Sequence, residues 1–424
     1  MFTTKALKTK VLFLFCLASM VRIAAALFLG SARVAWDYEY EVIATNLIEH
    51  GEYAYSFYGL GTLRPTSFIP PLYPLFLAGV RLLSASAPGG YKVLQIILSS
   101  LTIIVIYALT YEVTGKKTCG LLAALLATFY PPLVAYAVGI STVTFETFFL
   151  TAGLWAMLKA IKRPSLFAAG LAGLLLALAG LTRSTWLGLL PLVVVWIGGY
   201  PANLRRRSLT ILALITTAGL ILSPWFIRNY AVHGEFVLTS TNGGLNFWIG
   251  NHPQATGEYI FPTRIDQELV MRVVDWPEPQ RDRFFYKQGL QFVRHHPDQF
   301  LGLLGKKLFY FLFFRPNIGS NYASAQIPFF EWVKIGFVLS WLVLLPFAFL
   351  GVLHGSIPRQ QLVLLTMPLT ISAVTSILYF VGTRFRTPVD SIVIIWASCG
   401  LLYLFERRRL RRKEKSREDS PSRS

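Results

Sequence analysis

Charge is what this chain has least of. Asp, Glu, Lys and Arg make up 14% of its 424 residues, against roughly a quarter in soluble proteins. Acid is the scarcer sign, with 21 carboxylates against 40 basic side chains. With a mean hydropathy of +0.52 and recurring apolar runs near the ~20 residues that cross a bilayer, the shortage excludes a soluble globular domain. The three cysteines, Cys16, Cys119 and Cys399, lie in or beside apolar runs and form neither a disulfide framework nor a metal set. No HExxH, P-loop or GxGxxG between a strand and a helix is present, which removes the familiar zinc-hydrolase and nucleotide-binding signatures.

The basic residues sit in short runs between apolar segments: Lys5 to Lys10, Lys116 and Lys117, Lys159 to Arg163, Arg205 to Arg207, and Arg407 to Arg417. That distribution follows the positive-inside rule, so the net charge of +19 reports orientation and not a nucleic-acid partner. The expected fold is an all-α polytopic membrane protein of about ten spans, at 11–30, 91–113, 118–138, 141–161, 165–182, 184–200, 208–228, 330–353, 360–381 and 386–405. Ala24 to Ala26 imitate a signal cleavage site, but Leu27 to Leu29 carry the apolar run past them, and the segment reads as an uncleaved first helix. Two polar segments, 31–90 and 229–329, then fall on one outer face, and the apolar stretches within them at 70–84 and 300–314 read as interfacial helices. Residues 1–405 form one transmembrane unit, and 406–424 a basic cytoplasmic tail expected to be disordered.

Three constellations could carry chemistry. Asp37, Glu39 and Glu41 stand directly after the first span. Asp37 suits an N-cap of a helix whose apolar face is Tyr40, Ile43, Ala44, Leu47 and Ile48, and it equally suits a general base at a membrane-facing cleft. Spacing alone does not decide between them. Arg384 and Arg386, with Arg183 and Arg228, are cations on the outer side, against the orientation rule. They read either as interfacial side chains or as donors to a lipid-borne phosphate. Ser240 to Asn251 offers Asn242, Asn246, Trp248 and Asn251, amide and stacking groups suited to a sugar, or an ordinary glycine-rich loop. Arg22 lies within the first span, with Glu146 as a candidate partner.

The order of these parts resembles the C-type glycosyltransferases that use polyprenyl-phosphate sugars, in the protein-O-mannosyltransferase-like and aminoarabinose-transferase-like branch. It rests on Arg22; Asp37 and Glu39; Ala44 to Tyr53; Pro65-Thr66 and Pro70-Pro-Leu-Tyr-Pro74; Thr182-Arg183; Asn242 to Asn251; and Arg384 to Pro388. The resemblance implies an acidic residue of the first outer loop at the catalytic centre, here Asp37 with Glu39 beside it, and a lipid phosphate at the outer membrane face. The aminoarabinose pattern has Glu-Lys before its paired prolines, where this chain has Phe68-Ile69, so Arg64, Arg183 or the 384/386 pair would serve the phosphate. Tyr73, in the proline motif, joins the sugar- or acceptor-binding candidates.

The expectation is therefore an inverting membrane glycosyltransferase, hexosyl or pentosyl, with its catalytic loops outside the cytoplasm. Its partners would be a polyprenyl-phosphate sugar donor, a glycan, lipid or protein acceptor, and membrane lipid. A divalent cation at Asp37 is the one cofactor left open. The alternative is a transporter or flippase of lipid-linked sugars, although repeated halves and mid-membrane polar sites are not evident.

Overall fold

The computed structural model describes residues 5–28, 38–83, 90–313, 330–355 and 357–418. Asp37 falls outside them, as do residues 314–329 and the end of the chain from 419. The described chain is helical apart from one two-residue antiparallel pairing, Ala54 opposite Pro65 and Tyr55 opposite Arg64.

Among the described residues, six helices are long and apolar enough to cross a membrane: Thr9–Phe28, Gly90–Thr114, Leu204–His233, Trp332–His354, Arg359–Leu378 and Thr383–Arg412. The ten expected spans are not all realised in that form. The stretch at 118–138 is two helices, Lys117–Thr128 and Pro131–Val138, bent by 55°. Pro131 and Pro132 cannot donate to the preceding turn, so a new helix starts there. The 165–182 stretch is the 17-residue helix Leu166–Thr182, and 184–200 opens with a 3-10 turn at Ser184–Gly188 before the helix Leu189–Gly198. The Val143–Lys162 helix is 20 residues long, carries Glu146 in its first turn, and is not among the six. At the other end of the chain, the last helix runs on through the basic run to Glu418 instead of ending near 405. Arg, Lys, Leu and Glu are strong helix formers, which extends it past the apolar part.

Local signals set several ends. Ser165 accepts the Ala168 N–H and Asn203 accepts the Arg206 N–H, each capping the helix that follows. Gly234, at φ +69°, closes the 30-residue helix before it.

Apolar burial among the described residues falls into three clusters, one among the membrane helices, one joining the two polar segments and a smaller third around Tyr136 and Phe337. The first gathers small and branched residues such as Ala123, Ala127, Ala169, Ala172, Leu176, Val389 and Ile395. The second is aromatic, joining Tyr40, Tyr53, Phe57, Phe68 and Tyr73 of the first outer segment to Leu245, Trp248, Val273 and Phe285 of the second, with Phe380 from the last interhelical connection. Each fully buried large side chain contributes ~1.5–3 kcal/mol, so this cluster fastens the two outer segments into one layer. The expected face of the Tyr38–His50 helix is the one that packs there: Tyr40, Ile43 and Ala44 are buried, with Leu47 and Ile48 partly so.

Candidate functional site

The Tyr38–His50 helix begins immediately after Asp37, and its first turn carries Glu39 and Glu41. These two acids have different fates. Glu41 forms an ion pair with Arg81 of the Leu72–Leu83 helix, and Arg81 also donates to Thr45, so Glu41 is committed to packing. The charge of Glu39 is felt by two phenols. Tyr58 and Tyr259, from the first and second outer segments, approach each other at 3.3 Å between hydroxyl oxygens. Burial holds both phenols above their ordinary range, and the charge of Glu39 adds in the same direction at each. Arg384 opposes it at Tyr259. One phenol pair therefore feels both the acid beside Asp37 and the cation at the start of the Thr383–Glu418 helix.

Aromatic packing holds this meeting point. Tyr58 lies edge-on to Phe261 at 4.8 Å, Tyr259 packs on Phe380 at 5.5 Å, and Phe380 on Phe385 at 5.5 Å. The backbone N–H of Val381 donates to the carbonyl of Gly257 at 2.9 Å, tying the second outer segment to the last interhelical connection.

The four cations expected to serve the phosphate separate. Arg384 belongs to the cluster just described. Arg183 lies next to it through Phe385, its guanidinium carbon 5.0 Å from that ring. It is also held by Glu146 at 2.9 Å and by the Thr142 hydroxyl at 3.0 Å. Arg386 turns into the bundle, 3% exposed, against Asp390 at 3.3 Å, the Phe311 carbonyl at 3.1 Å and the face of Trp341 at 3.8 Å. The physical reason is helical geometry, since residues two apart on a helix point about 200° from each other. The two arginines would form a fork only on a tight turn. Arg64 donates to the Asp275 carbonyl at 2.9 Å and lines a separate cavity of about 250 Å³ with His233, Glu278 and Arg281.

Arg22 is fully buried and donates to the Ser99 hydroxyl at 2.6 Å and the Ala18 carbonyl at 3.1 Å. Glu146 is therefore the partner of Arg183, not of Arg22.

The sugar- and acceptor-binding candidates also divide. Tyr73 is fully buried, donating to Gln95 at 2.5 Å and accepting the Ser141 N–H at 2.8 Å. Asn251 is a structural tie: its amide donates to the carbonyls of Phe247 and Leu378, both at 2.8 Å, and its carbonyl accepts the Lys307 ammonium at 3.0 Å. Burial pushes that ammonium down to about 7. Asn242 accepts the Ser240 hydroxyl at 3.2 Å, and Asn246 lies in the Gly243–Gly250 helix. The glycines around them serve close approach. A Cβ on Gly244 would fall 1.9 Å from the Asp282 carbonyl oxygen, and one on Gly250 would fall 1.7 Å from that of Tyr379. Trp248 is 5% exposed, packs on Phe285 at 5.0 Å and walls a cavity.

Sequence reasoning passed over three groups that organise the outer layer. Glu278 accepts from the Thr66 hydroxyl, the Ser67 N–H at 2.8 Å and the Thr241 hydroxyl at 2.9 Å, joining the two outer segments. Asp282 accepts the Gly244 N–H at 2.6 Å, and burial pushes its carboxyl up to about 6. The Tyr58–Tyr259 pair had no signal beyond the aromatic richness of its loops. Among the described residues no group of three or more His, Cys, Asp or Glu is placed to hold a metal ion, and Asp37 is not among them.

Residues 69–227 match the family model for dolichyl-phosphate-mannose-protein mannosyltransferases. No curated protein matches the chain in sequence. Among solved structures, the apo oligosaccharyltransferase of Archaeoglobus fulgidus aligns over 96% of this chain and 52% of its own, with a TM-score of 0.59 at 15% identity. The oligosaccharyltransferase AglB from the same organism, in complex with an inhibitory peptide and a dolichol-phosphate, gives 0.59 at 14% identity, over 99% of this chain and 53% of that one. The chain thus spans about half the length of the oligosaccharyltransferases it matches. ArnT from Cupriavidus metallidurans, bound to undecaprenyl phosphate, aligns at 14% identity over 92% of this chain and 77% of its own, but its TM-score of 0.42 is too low to bear on the fold. Residues 69–227 of this multi-pass membrane chain are thus similar to the dolichyl-phosphate-mannose-protein mannosyltransferases, and the chain shares its fold with part of an archaeal oligosaccharyltransferase.

Proposed function

We propose that the protein transfers a sugar from a polyprenyl-phosphate donor to an acceptor hydroxyl on the extracytoplasmic face of the membrane. One observation carries this reading: Glu39, two residues after Asp37, and Arg384 act on the same Tyr58–Tyr259 pair, where both outer segments meet the start of the last helix. A carboxylate and a guanidinium that both act on one phenol, Tyr259, supply the two signs of charge that such a transfer needs. The neighbour solved with a dolichol-phosphate agrees with a lipid-phosphate donor.

In this mechanism Asp37 takes the proton of the acceptor hydroxyl. The oxygen attacks the anomeric carbon from the face opposite the phosphate, the bond from that carbon to the phosphate oxygen breaks, and the configuration inverts. Arg384 stabilises the charge that develops on the leaving lipid phosphate, with Arg183 one ring away behind Phe385. Glu39 raises the negative potential at the phenol pair and holds the acceptor side of the cleft polar. Ten membrane crossings, with the loops at 31–90 and 229–329 outside, complete the arrangement.

The test uses purified protein in lipid nanodiscs with a panel of polyprenyl-phosphate sugars and mass spectrometry of the products, with and without chelator. Asp37→Asn abolishes transfer and Arg384→Gln lowers it by ~10²-fold or more, both with unchanged thermal unfolding. Wild-type turnover by Asp37→Asn would overturn the assignment.

A further inference from the structure

Between the Gly243–Gly250 and Glu278–His295 helices lies a cavity of about 410 Å³, lined by Trp248, His252, Gln254, Asp266, Gln288 and Gln291 among others. That is within the range of small-molecule sites. None of Glu39, Tyr58, Tyr259 or Arg384 lines it, so it is distinct from the transfer centre.

The chemistry of its wall is specific. No Lys or Arg contributes, and three side-chain amides pair donors with acceptors in the way that neighbouring ring hydroxyls require. His252 adds an independent sign. It is 2% exposed, and its Nδ1 lies 3.2 Å from both the backbone N–H and the side-chain Oε1 of Gln254. Both contacts engage Nδ1, so in either tautomer of the neutral ring Nε2 is the nitrogen left over. Burial, the largest influence on the ring, favours that neutral form. Nε2 has no hydrogen-bond partner among the described residues. A buried ring nitrogen left unpaired beside a polar cavity is satisfied by a hydroxyl that enters it, since a hydroxyl both donates and accepts.

A second groove of about 340 Å³ runs along the same helix, lined by Arg283, Tyr286, Lys287, Leu290, Gln291 and Arg294. Gln291 belongs to both walls. Arg283 is paired with Glu235 at 2.6 Å, while Lys287 and Arg294 have no carboxylate partner among the described residues. A seat for hydroxyls thus adjoins a strip of positive charge.

We propose that this double groove binds an acceptor glycan bearing anionic groups, phosphate or carboxylate, with one sugar ring in the Trp248–His252 cavity and its charge against Lys287 and Arg294. The transfer reading supplies the role of that glycan as acceptor, but the site is testable without any donor.

The experiment is saturation-transfer NMR on the full chain in nanodiscs without polyprenyl phosphate. The probes are a neutral tetrasaccharide and two tetrasaccharides of the same backbone, one phosphorylated and one carrying uronate. All three show saturation at ring protons, and the better-bound charged probe identifies the anion. Gln288→Leu and His252→Phe each weaken every probe by ~tenfold, the loss expected for one buried hydrogen bond. The double variant Lys287→Gln/Arg294→Gln removes the advantage of the charged probes and leaves the neutral one unchanged. Gln288 is only half-buried, so its variant melts like the wild type and reports binding alone. Absence of saturation from all probes, or binding indifferent to Gln288→Leu, overturns the proposal. Asp37→Asn separates the two readings, because it binds the probes normally while losing transfer.

Discussion

Glu146 shows how one carboxylate is decided by its surroundings. It is fully buried and accepts from Arg183 at 2.9 Å, Thr142 at 2.6 Å and the Trp186 indole at 2.7 Å. Removing the cation leaves a buried charge without compensation, so Arg183→Met costs ~3–5 kcal/mol. Chemical denaturation measures that loss, and adding Glu146→Gln recovers most of it. Asp282 gives a pH signature of the opposite kind. Its folded carboxyl titrates at about 6, above the ordinary value of 3.8, because it is buried. Between these values the folded state keeps a proton that the unfolded chain has released, so the contribution is complete below pH ~4 and fades as pH rises through about 6. Melting temperatures followed from pH 4 to 7 show this decline, and Asp282→Asn flattens it while still accepting the Gly244 N–H.

Among the elements, Trp332–His354 and the last helix cross with their backbones in close approach. A Cβ on Gly351 would lie 1.8 Å from the Trp396 carbonyl oxygen, and one on Gly400 would lie 2.0 Å from that of Phe347. Small residues let helix backbones approach this closely within a membrane. Gly400→Ala forces them apart at a cost of ~1–3 kcal/mol, seen as a lower melting temperature, whereas Gly219→Ala, with open space around it, changes nothing. The same helix explains why an expected pair of cations became two separate groups. Sequence places Arg384 and Arg386 in a connection between spans, but the helix begins at Thr383, and its rotation turns one to the outer cluster and the other to Asp390.

At the scale of the whole molecule, the two outer segments behave as one layer because Glu278 and the aromatic core join them. Glu278→Ala removes the acceptor of Thr66, Ser67 and Thr241 together and loosens the layer by ~3 kcal/mol. Limited proteolysis within 229–329 reads this as faster cleavage, with the membrane helices still protected. Much of the architecture was legible in the primary structure. Apolar runs marked the helices, basic runs separated the two polar segments, and periodicity identified the buried face of Tyr38–His50. Span number was less so, since a proline bend at 131 and a 3-10 turn at 184 interrupt runs that composition alone treats as continuous.

The sequence by itself determined the membrane class, the scarcity of acid and the ordered set of motifs, because these depend on composition and on spacing along the chain. Tertiary structure alone decided which charges meet. It paired Glu146 with Arg183, committed Glu41 to Arg81, withdrew Arg386 into the bundle and set Glu39 and Arg384 on one pair of phenols. The physical reason is that Coulomb interactions and hydrogen bonds act over a few ångströms in space, across sequence separations of tens to hundreds of residues, and only packing fixes those distances.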